Sequence, residues 1–122
     1  MTVAIDGEIS TRHYRHFTIH TPGPNDVAML SEVLTRRFRH HDWPKPDLVV
    51  LDGGLPQLSI AHKVSPCAVI ALAKKDETIY TLSSQIKLPH THPGLQLLQR
   101  LRDEAHRFSR RLHHRHRSLI IK

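Results

Sequence analysis

The sequence predicts an α/β fold in which helices flank a mixed β-sheet. Two short apolar runs, at 47–52 and 68–73, have the composition of strands that are covered on both faces. A short helix around Leu58 is expected between them, and this strand, helix, strand order favours a parallel pair. Two further strands are predicted at 78–82 and 85–88, joined by a serine turn, so the sheet is expected to be mixed.

The N-terminal residues predict a β-hairpin. Residues 2–5 are strand formers, and Asp6-Gly7 is a turn signal. Residues 11–19 are then expected to form the second strand. Polar and apolar residues alternate only partly in this segment, so one face of the strand is expected to stay in contact with water.

Two amphipathic helices are predicted. Two prolines and a glycine in TPGPN, at 21–25, interrupt the chain, and Asn25 is expected to cap a helix that begins near Asp26. The apolar stripe of this helix consists of Val27, Leu30, Leu34 and Phe38, widened by Met29 and Val33. Pro93 suits the first turn of a long final helix. Its apolar positions are Leu98, Leu101, Ala105, Phe108 and Leu112.

The length and composition favour a single domain, 1–122. The chain has 122 residues, of which 39% are hydrophobic, and this leaves no room for two independent cores. Its longest apolar runs fall well short of the roughly 20 residues that cross a bilayer, and the N-terminus lacks the pattern of a secretory signal. A single cysteine, Cys67, is consistent with a reducing compartment. We therefore expect a cytoplasmic protein without a membrane partner.

The charge balance favours a polyanionic partner. Eighteen Lys and Arg residues against eleven Asp and Glu residues give a net charge of +7, and twelve histidines can add to it. Nucleic acid is favoured over an anionic membrane, because the basic residues adjoin a patterned core. One cluster, at 36–41, is either a solvated helix end or part of this surface. Paired ligand spacing for a structural zinc site is not evident.

Asp52 is the first candidate functional residue. It ends a predicted buried strand and is followed by two glycines, so its carboxylate is expected at the edge of the sheet, where a ligand can approach. This is a suitable position for a metal ion. The alternative is that Asp52 only caps the helix that follows.

A polar stripe on the final helix supplies the second candidate. Its members are Arg102, His106, Arg110 and His113, set apart from the apolar stripe. The stripe either faces phosphate or is a solvated helix face. Asp103 lies three residues before His106, close enough to orient its ring, so a general acid or base role for His106 is possible.

Three ordered segments together resemble the C-terminal endonuclease half of UvrC, the excision-repair nuclease subunit. They are YRHFTIHTPGPNDVAMLSEVLTRRF at 14–38, PDLVVLDGGLPQLS at 46–59, and VIALAKKDETIY with LPHTHPGLQLLQRLRDEAHRFSRRLHHRHRS between 69 and 118. Any one of LDGG, LAKKDE and RDEAHRF would be a weak signal. Their occurrence in this order is highly specific, and the resemblance covers nearly the whole chain.

The resemblance implies a ribonuclease H-like fold and metal-dependent incision of damaged double-stranded DNA on the five-prime side of a lesion, within the UvrABC system. By position, Asp52 is implied to be a catalytic, metal-binding carboxylate and His106 the catalytic histidine. The implied cofactor is a divalent Mg or Mn ion, and UvrB is a partner in the full-length family. The residues expected to face DNA are Tyr14, Arg15, Lys74 and Arg107.

The chain departs from the family pattern at three places. The family's domain opens with a strand bearing FDIS, whose aspartate completes the metal site, and this chain is expected to start just after it. An acidic residue in the family's TPGDDYAAM falls on Asn25, unless a small register change brings in Asp26. The family's GGKGQL is GGLPQL here, so Leu55 replaces a lysine and Pro56 a glycine.

The absent strand has a structural consequence. In ribonuclease H-like sheets the FDIS strand lies beside the strand corresponding to 48–52, so we expect this strand to have an exposed edge and the isolated chain to self-associate or be unstable. The polypeptide is therefore expected to be one partial domain, and whether it is active by itself is left open. The alternative function is a non-catalytic, basic nucleic-acid-binding module, favoured by the missing aspartate and the basic C-terminal segment.

Overall fold

The computed structural model describes residues 1–23, 25–73 and 76–116, with side chains through residue 110. The helices are α1 (Asp26–Phe38), α2 (Leu55–Val64) and α3 (Pro93–His116). The strands are β1 (Ala4–Ile5), β2 (Glu8–Ile9), β3 (Leu48–Asp52), β4 (Ala68–Leu72), β5 (Ile79–Tyr80) and β6 (Gln85–Ile86). The chain forms two compact units, one of Met1–Ile19 with the part from Leu88 onward, the other of His20–Lys87.

The N-terminal hairpin is shorter than the sequence predicts. Strand β1 pairs with β2, placing Ile5 opposite Glu8, and Asp6 and Gly7 form the turn with φ of 52° and 82°. Two positive φ angles suit a tight hairpin turn, so the return strand starts at once. The predicted second strand at 11–19 is therefore wrong.

Local and tertiary contacts explain why residues 11–19 do not form a strand. Thr11–His13 is a 3-10 turn, and the Ser10 hydroxyl is hydrogen-bonded to Nδ1 of His13 at 2.6 Å. Such a short-range side-chain bond competes with a strand ladder. Farther along, the backbones of Met1 and Arg15 are linked by two hydrogen bonds, at 2.8 and 3.2 Å.

Helix α1 begins where the sequence predicts. Asn25 is its N-cap, with Oδ1 accepting a hydrogen bond from the backbone N–H of Ala28 at 3.0 Å. This bond satisfies one of the amide groups that a helix start leaves unpaired. The predicted stripe is the packed face, and its most buried members are Met29, Leu30, Val33 and Leu34.

A mixed four-stranded sheet forms the framework of the unit His20–Lys87. Strand β3 runs parallel to β4, and β4, β5 and β6 are joined in antiparallel pairs. The strand order is β3-β4-β5-β6, so β3 lies at one end of this sheet, as the family resemblance implies. The predicted strands at 78–82 and 85–88 are shorter, because only two residues of each are paired.

Helix α2 links the two parallel strands, and it packs against both α1 and β4. Leu58 and Ala61, two of the positions that indicate this helix in the sequence, have no exposed surface. On the sheet, Leu51 and Leu72 are 2% and 1% exposed. Helices α1 and α2 and the sheet thus bury a common core directly beside the end of β3.

Helix α3 belongs to the other unit and starts at Pro93, as predicted. Leu95 and Ala105 are its most buried described side chains, at 0% and 3% exposure. A backbone carbonyl of the helix, that of Leu101, accepts a hydrogen bond from the Thr2 hydroxyl at 3.3 Å. In the described part of the chain, none of the helices has the length and apolar character of a membrane span.

Candidate active site

Asp52 is the last residue of β3, and in the parallel register it lies opposite Leu72, the last residue of β4. The residue is half-buried, and its Oδ1 is shielded from solvent. The carboxyl ends of parallel strands are where open α/β sheets hold the side chains that bind ligands. The packed strand therefore fixes a carboxylate at this edge, where the sequence predicts it.

The helix that follows Asp52 is capped by other residues. Gly54 is the N-cap of α2, and its N–H donates to Oε1 of Gln57 at 3.0 Å. Pro56 occupies the first turn, where its missing N–H costs no hydrogen bond. A Cβ atom on Gly53 would lie 3.3 Å from the Gln57 side chain, so the turn is tight. Gly54, and not Asp52, is therefore the N-cap residue of α2, and the ligand-binding interpretation of Asp52 stays a prediction.

Glu32, on α1, holds the loop that leads into α1 by hydrogen bonds. Glu32 accepts hydrogen bonds from the backbone N–H groups of His20 and Thr21, from the Thr21 hydroxyl, and from Arg36 at 2.8 Å. These bonds, the Thr21 hydroxyl first, lower the pKa of Glu32 to about 2. Glu32 was not predicted as a functional residue, although its spacing of four from Arg36 is a recognisable signal for an ion pair.

The loop held by Glu32 leads to the position at which the family has an acidic residue. Asn25 stands there, and its amide oxygen is engaged in capping α1. Asp26 is the first residue of the helix and is exposed. A carboxylate in the first turn of a helix is favoured by the helix dipole, which is a structural reason for Asp26 independent of any ligand.

His106 lies on α3 and is half-buried. It follows directly after Ala105, which is 3% exposed. Asp103, the candidate for orienting it, has its Oδ1 3.6 Å from Nε of Arg102 and a side chain that is 72% exposed. An orienting role for Asp103 stays a prediction.

Two of the predicted DNA-facing residues, Tyr14 and Arg107, donate hydrogen bonds to the same carboxylate, that of Glu104. The Tyr14 hydroxyl donates to Oε1 of Glu104 at 3.2 Å, and Arg107 donates to both oxygens of the same group. The Tyr14 ring also makes an edge contact with Phe108, at 5.1 Å between centroids. Burial, followed by the charge of Glu104, raises the pKa of Tyr14 to about 12. Glu104 was not predicted.

The other two predicted DNA-facing residues are Arg15 and Lys74. Nη1 of Arg15 donates to the backbone oxygens of Arg12 and Tyr14, at 3.0 and 2.7 Å. Its guanidinium therefore stiffens the segment after the 3-10 turn. Lys74 lies outside the described residues.

Comparison with known proteins identifies the family. A family model described as the UvrC RNase H endonuclease domain matches residues 1–109. The chain belongs to this family. Among its relatives are proteins named UvrABC system protein C from Thermotoga petrophila, 38% identical over 96% of this chain, and from Chlorobium phaeobacteroides, 43% identical over 97%. The chain spans only 22% and 20% of the length of these two relatives.

The fit of a divalent metal ion to this UvrC domain depends on Asp52. Within 1–23, 25–73 and 76–110, no three His, Cys, Asp or Glu side chains are grouped as a metal site. A single carboxylate with a shielded oxygen still matches the way in which Mg²⁺ commonly binds, through one or two carboxylates completed by substrate phosphate and water. Asp52 is therefore the described residue that would hold such an ion, and substrate phosphate and water would have to complete its ligands.

Proposed function

We propose that this chain is a DNA-incising endonuclease domain that acts in nucleotide excision repair and cuts on the five-prime side of a lesion. The observation that carries the proposal is the position of Asp52 at the carboxyl end of β3, in front of a helix that has its own cap. A single family match over residues 1–109 supports treating the chain as one domain.

Asp52 and His106 have different roles in this proposal. Asp52 is the residue that would hold Mg²⁺ or Mn²⁺, together with a phosphate oxygen of the DNA. When bound, such an ion offsets negative charge on the phosphodiester and lowers the pKa of water. His106, half-buried on α3, takes up or delivers a proton at the reacting phosphate.

The DNA-facing residues and the partners follow from the same proposal. Tyr14, Arg15, Lys74 and Arg107 would contact the backbone of damaged double-stranded DNA, and phosphate contacts of this kind position a duplex without reading its sequence. Arg107 would reach phosphate from its ion pair with Glu104. UvrB is the expected protein partner, and the cytoplasm the expected location.

The second candidate function is a non-catalytic nucleic-acid-binding module. Two observations favour it, namely the net charge of +7 and the lack of a grouped set of three metal ligands in the described part of the chain. Such a module would bind nucleic acid with an affinity that falls steeply with salt and does not depend on divalent metal.

A nicking assay on lesion-containing duplex DNA with Mn²⁺ tests the proposal. It is run with this chain and with the chain fused behind an FDIS-bearing strand. His106→Ala is expected to lower the rate by about 10²- to 10⁴-fold, the usual contribution of a catalytic acid or base. Asp52→Asn is expected to lower the rate by weakening the binding of the metal ion. Matched controls are Asp47→Asn, an exposed acid just before β3, and His62→Ala, an exposed histidine on α2.

The outcomes separate the two functions. Nicking that persists in both Asp52→Asn and His106→Ala would refute the site assignment. Nicking by neither polypeptide, combined with metal-independent binding that weakens with salt, would establish the binding module instead.

A further inference from the structure

The segment that follows α1 carries a stacked pair of rings that the proposed function does not use. The His40 and Trp43 rings lie parallel, with 3.7 Å between centroids and 3° between planes. We name this pair the His40–Trp43 platform. Its two rings are only three residues apart, so the stack is a local feature of one tight turn, in which the Trp43 N–H donates to the His40 carbonyl at 3.3 Å.

A buried arginine anchors the His40–Trp43 platform. Arg37 is 8% exposed and donates from Nη2 to the Pro44 carbonyl at 2.6 Å. Its guanidinium carbon lies 5.2 Å from the centroid of the Trp43 ring, within cation–π range. The turn is thus tied to α1 on both sides of the tryptophan, so the platform is preorganised and a ligand would not have to order it.

The surroundings of the platform are basic and accessible. The His40 side chain is 43% exposed, and Arg39, His41 and Lys45 are exposed beside it. Arg36 and Arg37 do not add to this accessible charge, because Arg36 is paired with Glu32 and Arg37 is buried. The acidic residue within the turn is Asp42, whose Oδ1 is 3.5 Å from Nδ1 of His40 and whose side chain is 75% exposed.

We propose that the His40–Trp43 platform is a second nucleic-acid site that binds an unpaired DNA strand, with a base stacked on His40 and Arg39 and Lys45 on the flanking phosphates. The inference rests on the proposed function, which supplies DNA as the polyanion. An aromatic stack next to separate cations matches single strands, because their bases present open faces. Bases within a duplex are already stacked on one another, and an acidic peptide would use the cations but not the ring stack.

The sole tryptophan of the chain is Trp43, so its fluorescence reports directly on the platform. Titration of the intact chain with a short oligothymidylate is expected to change this fluorescence. Affinity is measured independently by the anisotropy of a labelled oligonucleotide, since His40→Ala alters the surroundings of Trp43. We expect His40→Ala to weaken binding on the order of 5- to 100-fold, as loss of one stacked base would. His62→Ala, at an exposed histidine of α2, is the matched control.

The charge contribution is tested separately. Arg39→Gln is expected to reduce the slope of log affinity against log salt by about 0.7, the value for one phosphate contact on a single strand. Arg100→Gln, at an exposed arginine of α3, is the matched control and should leave the slope unchanged.

Three results would overturn the inference. One is an abasic oligonucleotide that binds as tightly as oligothymidylate. Another is poly-glutamate or duplex DNA of the same length that competes equally well. The last is equal weakening by His40→Ala and His62→Ala. Oligothymidylate binding at the platform without nicking would support this inference while the proposed function fails, and nicking without such binding would do the reverse.

Discussion

Leu48 and Leu51 lie in the same strand, β3, but differ sharply in burial. Leu51 is 2% exposed and Leu48 is 43% exposed. Truncation of a buried leucine to alanine removes the transfer free energy of the lost atoms and leaves a cavity, at a total cost of about 2 to 5 kcal/mol. We expect a loss of about 3 kcal/mol for Leu51→Ala. For Leu48→Ala we expect about 1 kcal/mol or less, because the side chain is partly in water already and leaves no closed cavity.

Urea unfolding, followed by Trp43 fluorescence, measures this difference. Leu51→Ala should lower the transition midpoint Cm with an unchanged m-value, while Leu48→Ala should move Cm much less. The two variants are matched controls for each other, since residue, substitution and strand are the same. Equal shifts, or a larger shift for Leu48→Ala, would refute the placement of the core beside Asp52.

Two further predictions concern the titration of Glu32, which holds the loop before α1, and of Tyr14 in the N-terminal segment. Because the pKa of Glu32 falls from 4.5 to about 2 on folding, its stabilising effect is complete above pH 4.5 and is lost as the pH falls towards 2. The stability difference between the wild type and Glu32→Gln should therefore shrink over that range in acid unfolding, and a difference that grew on acidification would contradict this. The phenolate absorbance of Tyr14 is the difference between the wild type and Tyr14→Phe, and it should titrate with a midpoint near pH 12. Glu104→Gln should lower this midpoint. A Tyr14 midpoint at its ordinary 10 would show that the hydroxyl is neither buried nor in contact with Glu104.

The elements predicted correctly are those that local signals determine. The cap at Asn25, the proline at Pro93 and the stripe through Leu30 and Leu34 each act within a few residues, so the starts and the packed faces of the helices follow from the sequence. The same holds for Asp52, since a buried apolar run ending in Asp-Gly-Gly defines both a strand and its end.

The elements predicted wrongly depend on distant partners. Residues 11–19 have strand-like composition, but Tyr14 is held by Glu104 and Phe108, some ninety positions away in the chain. Strand propensity is weak compared with such tertiary contacts. The His40–Trp43 platform escaped prediction for a related reason, because the stack requires a specific turn geometry that residue types do not specify.

The central proposal is that Asp52 and His106 both serve the same incision reaction. A double-mutant cycle on the nicking rate tests it most directly, with Asp52→Asn, His106→Ala and the double variant in the same background. Residues that act together in one catalytic step show strongly non-additive losses. We predict that the double variant is about as slow as the slower single variant. Losses that multiply, or a rate unaffected by either substitution, would contradict the claim.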